Sequence, residues 1–140
     1  MYDSEFRELL DDISYCFITG DIQSWRNRII APFSLVTKHG AEILETEDAL
    51  RENFGLYRQA CTIMGLDEVY REPVSLEACP DGTWLGTYTT HLLAKGKRAT
   101  APYTATGLLH LREGRFLMSA ILNARGHHEW TGSNIDHETS

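Results

Sequence analysis

The sequence predicts an α+β domain, with its helices gathered towards the front and its long strands at the back. Two observations carry this reading. Apolar residues recur at three- and four-residue spacing in the segments around 4–19 and 47–64, and from about residue 68 they alternate in long runs divided by turn residues. Helices and strands are thus segregated and do not alternate as βαβ units. A chain of 140 residues suits one domain with one core, so residues 1–140 are read as a single domain, with an ordered core at about 4–125 and a polar, frayed tail at 126–140.

Each element has its own signal. Phe6, Leu9, Leu10, Ile13, Cys16 and Phe17 fall on one face of a helix over 4–19, which Ser4 can cap and Gly20 ends. Asp21 then caps a short second helix, with Ile22, Trp25 and Ile29 on one side and Pro32 as its stop. Phe33 to Lys38 and Ala41 to Glu45 read as a strand hairpin turning through His39-Gly40. Thr46 caps a third helix over 47–64, with Leu50, Phe54, Tyr57, Cys61 and Met64 on its face and Gly65 closing it. Four strands follow, at about 68–79, 83–94, 99–111 and 115–125. Pro80-Asp81-Gly82, the run Lys95 to Arg98, and Arg112-Glu113-Gly114 turn them. Pro102 marks a bulge or an edge in the third. The last turn is read as a three-residue loop with Gly114 left-handed; a two-residue loop would shift the register of the final pair.

The order of helix, Gly20-Asp21 junction, short helix, hairpin, helix and four long strands resembles the nuclear transport factor 2-like superfamily, as does Glu113-Gly114-Arg115-Phe116 leading into the last strand. The likeness covers roughly residues 4–125. It implies a cone-shaped α+β barrel, with three N-terminal helices packed on a curved, mixed or antiparallel sheet of about six strands. It also implies a pocket at the wide end and a homodimer. The superfamily includes isomerases, cyclases, dehydratases and non-catalytic binding modules, so its fold does not fix a function.

The ketosteroid isomerases of that superfamily hold an oxyanion with a tyrosine and a protonated aspartic acid and use an aspartate base. The resemblance puts Ile13 at the tyrosine, Lys38 at or near the base and Gly107 at the second acid. Between Thr83 and Arg125 the one carboxylate is Glu113, in a turn, so a carboxylate pair on the last three strands is ruled out.

Side chains alternate along a strand. The superfamily register turns Leu117, Ser119, Ile121 and Asn123 inward, and a three-residue loop sets Leu109, Gly107, Ala105 and Tyr103 beside them. A two-residue loop would instead offer His110, Leu108, Thr106 and Thr104. The expected ligand groups are therefore Tyr103, Ser119 and Asn123 within apolar walls, joined by the helical aromatics Tyr15, Trp25 and Tyr57 at the mouth. A filled core is the alternative. His91 and His110 are the candidate acid–base groups, since imidazole titrates near neutrality. Strand histidines with a serine and an asparagine resemble the scytalone dehydratases, but Ser119 and Asn123 stand four apart and the supporting aspartate has no counterpart. The function expected is binding of an apolar small molecule, with cofactor-free isomerase, cyclase or dehydratase chemistry if there is turnover. The alternative is an interaction module whose Phe116, Met118, Ala120 and Leu122 face is an interface.

Composition excludes several classes. A formal net charge of −7 opposes non-specific nucleic-acid binding. No window approaches a membrane span, and the acidic start Asp3-Ser4-Glu5 is not a signal peptide. The cysteines, Cys16, Cys61 and Cys79, form no disulfide framework or zinc motif, and they suit a reducing cytoplasm. The His127-His128-Glu129 run and His137 lack zinc spacing, so neither metal nor cofactor is expected.

Overall fold

The structure, a computed structural model, describes residues 2–132. The chain runs α1 (Asp3–Thr19), α2 (Ile22–Arg26), β1 (Ile29–Thr37), β2 (Gly40–Leu44), α3 (Glu47–Met64), β3 (Glu68–Ala78), β4 (Thr83–Ala94), β5 (Lys97–Arg98), β6 (Tyr103–Arg112), β7 (Arg115–Leu122) and α4 (His127–Thr131). The sheet order is β2-β1-β7-β6-β4-β3, with β5 paired to β4. β1 is parallel to β7 and the other described pairs are antiparallel, so the sheet is mixed; it remains open between β2 and β3.

The helices bury their predicted faces. α1 sinks Phe6, Leu9, Leu10, Ile13, Cys16 and Phe17, and α3 sinks Leu50, Phe54, Tyr57 and Cys61. Gly20 ends α1 at φ 81°, a left-handed turn that suits glycine. The Arg58 guanidinium crosses from α3 to donate to the carbonyls of Phe17 and Ile18, at 2.7 and 3.1 Å. Asp21 caps α2 by accepting from Ser24 N, and Thr46 caps α3 by accepting from Ala49 N at 3.0 Å.

Gly86 explains how α1 approaches the sheet. A Cβ there would lie 2.5 Å from the Phe6 ring and 2.9 Å from Leu109 Cδ1, so the ring occupies the space a side chain would need.

Five details differ from the sequence reading. Ser4 does not cap α1; Tyr2 holds the cap position without a side-chain bond, and its ring packs edge-on against Trp84 and Phe116. α2 ends at Arg26, and Pro32 lies inside β1, where pairing with β7 slips between Ile29 and Ser34. Lys97–Arg98 pairs as β5, and β6 begins only at Tyr103. The last hairpin is a two-residue turn, with Arg112 opposite Arg115 and both Glu113 (φ 52°) and Gly114 (φ 79°) left-handed. Finally, the tail is not frayed from residue 126: His127–Thr131 forms α4 and Trp130 is buried.

The two-residue turn decides which face of β7 looks inward. With Leu111 opposite Phe116 and Leu109 opposite Met118, the core set is Phe116 and Met118, both fully buried. A bulge then follows: Leu109 faces Met118 but Leu108 faces Ala120, leaving Ser119 as the extra residue. Beyond it the parity reverses, and Ile121 returns inward opposite Gly107. A Cβ on Gly107 would lie 2.8 Å from Met118 Cε, so Met118 fills that place.

Candidate functional site

The inner sheet face and the helices enclose a cavity of about 50 Å³. Ile13 and Phe17 of α1, Trp25 of α2, Phe33 and Leu35 of β1, and Met118 and Ile121 of β7 give its apolar walls. The polar groups come from elsewhere: Asn53 and Tyr57 from α3, Arg71 from β3, Tyr88 and Thr90 from β4, Tyr103 from β6, and Arg125. Alternation puts them there, since Val69 and Arg71, then Tyr88, Thr90 and Leu92, then Tyr103, Ala105 and Leu109, are the inward sets of their strands.

Trp130 closes this cavity. Its ring lies 4.8 Å from that of Tyr57 and 6.1 Å from that of Phe17, and its indole N–H donates to Tyr103 Oη at 2.9 Å. α4, too short to hold itself by backbone bonds alone, is tied down at its start, where Gly126 N donates to Glu129 Oε1 at 2.9 Å. A wider hollow of about 220 Å³ adjoins the cavity and shares Leu35, Asn53 and Tyr57 with it, so these three side chains stand between the cavity and solvent.

The three cavity tyrosines are held as phenols. Burial, above all, pushes Tyr88 up to about 12, against the opposing pull of the Arg71 guanidinium. Tyr57 and Tyr103 are raised by the same cause. Tyr57 donates to the Arg125 carbonyl at 2.6 Å. Thr90 is 1% exposed and its hydroxyl closes no hydrogen bond, although it leans towards the Tyr103 phenol. The Arg71 guanidinium, on a residue 7% exposed, donates to Ser14 Oγ at 3.0 Å and lies 5.6 Å from the centre of the Phe17 ring.

No protein-family model and no curated protein sequence matches the chain. Solved structures do. A nuclear transport factor 2-like protein of unknown function from Shewanella oneidensis superposes with a TM-score of 0.65 at 12% identity, over 87% of this chain and 98% of that one. Aln2 from a Streptomyces species gives 0.64 at 14% identity, over 85% and 86%. A protein of unknown function with a cystatin-like fold from Nostoc punctiforme gives 0.61 at 10% identity, over 85% and 86%. The fold is that of the nuclear transport factor 2-like superfamily.

Within the nuclear transport factor 2-like cone, the sequence-predicted site residues divide. Trp25, Tyr57 and Tyr103 line the cavity. Tyr15 does not: it is 69% exposed and borders an acidic groove with Asp11, Asp12, Asp67 and Glu68. Ser119 sits on the outer sheet face because of the turn and the bulge. Asn123 lies past the end of β7 at φ 60°, donating to the Thr104 carbonyl at 2.6 Å. His91 and His110 alternate with inward residues and so face outward. His91 Nε2 is 3.2 Å from Glu72 Oε1 and its ring stacks on Tyr70; His110 Nε2 is 2.7 Å from Ser119 Oγ. Burial first, then the Arg112 guanidinium, holds His110 below the usual imidazole range. The histidine pair thus has no contact with the cavity.

Ile13 lines the cavity and Gly107 faces inward, where the resemblance placed two isomerase groups, so neither position offers an acid. The sequence reading missed Arg71, Thr90, Asn53 and Trp130. One of them carries a signal: Trp130 is a large apolar ring in a polar tail. Among the described residues no His, Cys, Asp and Glu cluster is arranged to hold a metal ion, and His137 lies outside them. No described helix is long and apolar enough to cross a membrane.

Proposed function

We propose that this protein binds a small molecule in the cone cavity beneath Trp130, as a receptor and not as an acid–base catalyst. The observation that carries it is Thr90: a fully buried hydroxyl that closes no hydrogen bond among the described residues, facing a cavity with apolar walls. A buried polar atom left unpaired costs about 1–3 kcal/mol, and a ligand that bonds to it removes that penalty. Isomerisation, cyclisation or dehydration needs a proton acceptor near neutral pH. Among the described residues the cavity walls hold no histidine or carboxylate, and the tyrosines are all shifted away from neutrality.

Size limits the ligand. A void of roughly 150 Å³ is needed for benzene, so with Trp130 in place the 50 Å³ cavity admits a few heavy atoms. A larger ligand would displace the indole or open the Asn53–Tyr57 wall. The test is a screen of small aromatic and aliphatic compounds by backbone amide shifts. Perturbations concentrated at Tyr88, Thr90, Tyr103 and Trp130 are expected. A panel that moves none of them, in wild type and in Trp130→Ala alike, overturns the receptor reading.

A second reading concerns the outer sheet face, and the two are compatible. Leu85, Leu108, Leu117, Ala120 and Leu122 lie there beside the Thr87–Thr106 and Thr89–Thr104 hydroxyl pairs, each at 3.0 Å. These polar groups satisfy one another, which leaves a surface suited to a second copy of the chain. The interface named from sequence is corrected in part: Phe116 and Met118 belong to the core, while Ala120 and Leu122 remain on this face.

A further inference from the structure

We infer that the cavity receives the carboxylate of a compact apolar acid, with Arg71 as its counter-ion and the Thr90 hydroxyl as a further hydrogen-bond partner. The inference rests on the receptor reading and adds the class of ligand.

The chain neutralises its other buried arginine from within. Arg28, fully buried, is neutralised by Glu5 at 2.8 Å and by Asp12 at 2.8 Å, and it also donates to the Phe116 carbonyl. Arg71 is almost as buried, yet among the described residues no carboxylate comes within 4.0 Å of it. Its hydrogen-bond partner is a neutral serine, and the Tyr88 phenol lies towards it. A buried charge without a counter-charge is strongly unfavourable, so its retention points to an anion supplied from outside.

The surroundings agree. The chain carries 20 acidic and 13 basic residues, but among the described residues the cavity wall has Arg71 and Arg125 and no acid. Arg125 lies over the Tyr103 ring, 5.1 Å from its centre, as a second source of positive potential. Thr90 supplies a hydroxyl that closes no hydrogen bond among the described residues. A planar guanidinium matches a carboxylate through paired N–H donors. Apart from the Asn53 amide, the remaining wall is hydrocarbon and aromatic, which fits an apolar body with one charged group at the Arg71 end.

The test compares acids with their neutral amides: benzoate with benzamide, and isobutyrate with isobutyramide, on the full chain at about pH 7, where the acids are ionised. Binding is read by thermal shift and by amide shifts, in wild type, Arg71→Met and Thr90→Val. The acids are expected to bind about tenfold or more tightly than the amides, with that advantage lost in Arg71→Met and reduced in Thr90→Val. Without ligand, Arg71→Met is expected to melt at or above the wild-type temperature, because it removes an uncompensated charge. Amides binding as well as acids would overturn the anion assignment and leave the receptor reading standing. So would an effect of chloride that equals that of benzoate, or a folded Arg71→Met that keeps the preference for acids. Thr90→Val keeps the question open to refutation if Arg71→Met fails to fold: an unchanged acid-to-amide ratio there counts against the hydroxyl contact. Neither acids nor amides binding in any variant overturns both.

Discussion

Arg28 shows how one side chain can organise a fold. It leaves the junction between α2 and β1, passes under α1 and ends against the start of β7, with Glu5 and Asp12 as counter-charges. Glu5 also accepts from Phe116 N at 2.9 Å, so one carboxylate ties the helix to both the guanidinium and the strand. Replacing Glu5 by alanine leaves the guanidinium short of charge and the strand N–H short of an acceptor. A loss of about 3 kcal/mol is expected from urea unfolding; a change under about 1 kcal/mol would mean that Asp12 suffices alone. The cavity tyrosines make a second prediction. Their folded pKa values are raised, so the fold favours the phenol, and the stabilisation is present below about pH 10 and lost as pH climbs from there through the folded values, Tyr88 at about 12. An ultraviolet titration should therefore show Tyr57, Tyr88 and Tyr103 ionising only with unfolding. A smooth titration of the six tyrosines in the folded protein near pH 10 would contradict their burial.

Elements were legible where local chemistry alone decides them. α3 has the predicted bounds because Thr46 caps it and Gly65 ends it, and β4 spans the predicted residues because a turn lies at each end. The face of β7 was not legible, because it depends on a two-residue turn and a one-residue bulge, and an error of one residue inverts a strand. That inversion put Leu117 and Ser119 into the site and left Met118 outside it, whereas Asn123 misses the cavity because β7 ends at Leu122 and the backbone turns left-handed at Asn123. α4 was missed for a different reason: five residues have no helical period to read, and the segment is held by the tertiary contacts of Trp130. Those contacts carry the next prediction. Trp130→Ala should lose about 3–5 kcal/mol and enlarge the cavity. Trp130→Phe should retain part of the stability but lose the bond to Tyr103. If Trp130→Ala unfolds within about 1 kcal/mol of wild type, α4 is an appendage and not the wall of the site.

The whole molecule divides its sheet into two surfaces with different tasks. The inner face is committed to the core and the cavity, which is why the α+β architecture was readable from segregated helices and strands, while of the cavity's polar set, brought together from separate strands and a helix, Tyr57 and Tyr103 were readable and Asn53, Arg71 and Thr90 were not. Among the described residues no helix crosses the outer face, since α1 packs on β3 and β7 from the inside and α3 on α1 and α4. Leucine and alanine side chains from β4, β6 and β7 are half-buried or exposed there, with Leu122 45% exposed. A monomer gains nothing from such a surface, whereas a twofold dimer buries it by setting the same patch against itself. Sedimentation at micromolar concentration is expected to give twice the 15.9 kDa chain mass. Leu117→Lys together with Leu122→Lys should return the protein to a monomer, because two like charges would then meet two more across the axis. The double variant should keep its ligand response, as neither residue lines the cavity. A wild-type protein that sediments as a monomer at every concentration would remove the dimer, leaving the outer face as an exposed surface and the cone cavity as the functional reading that stands.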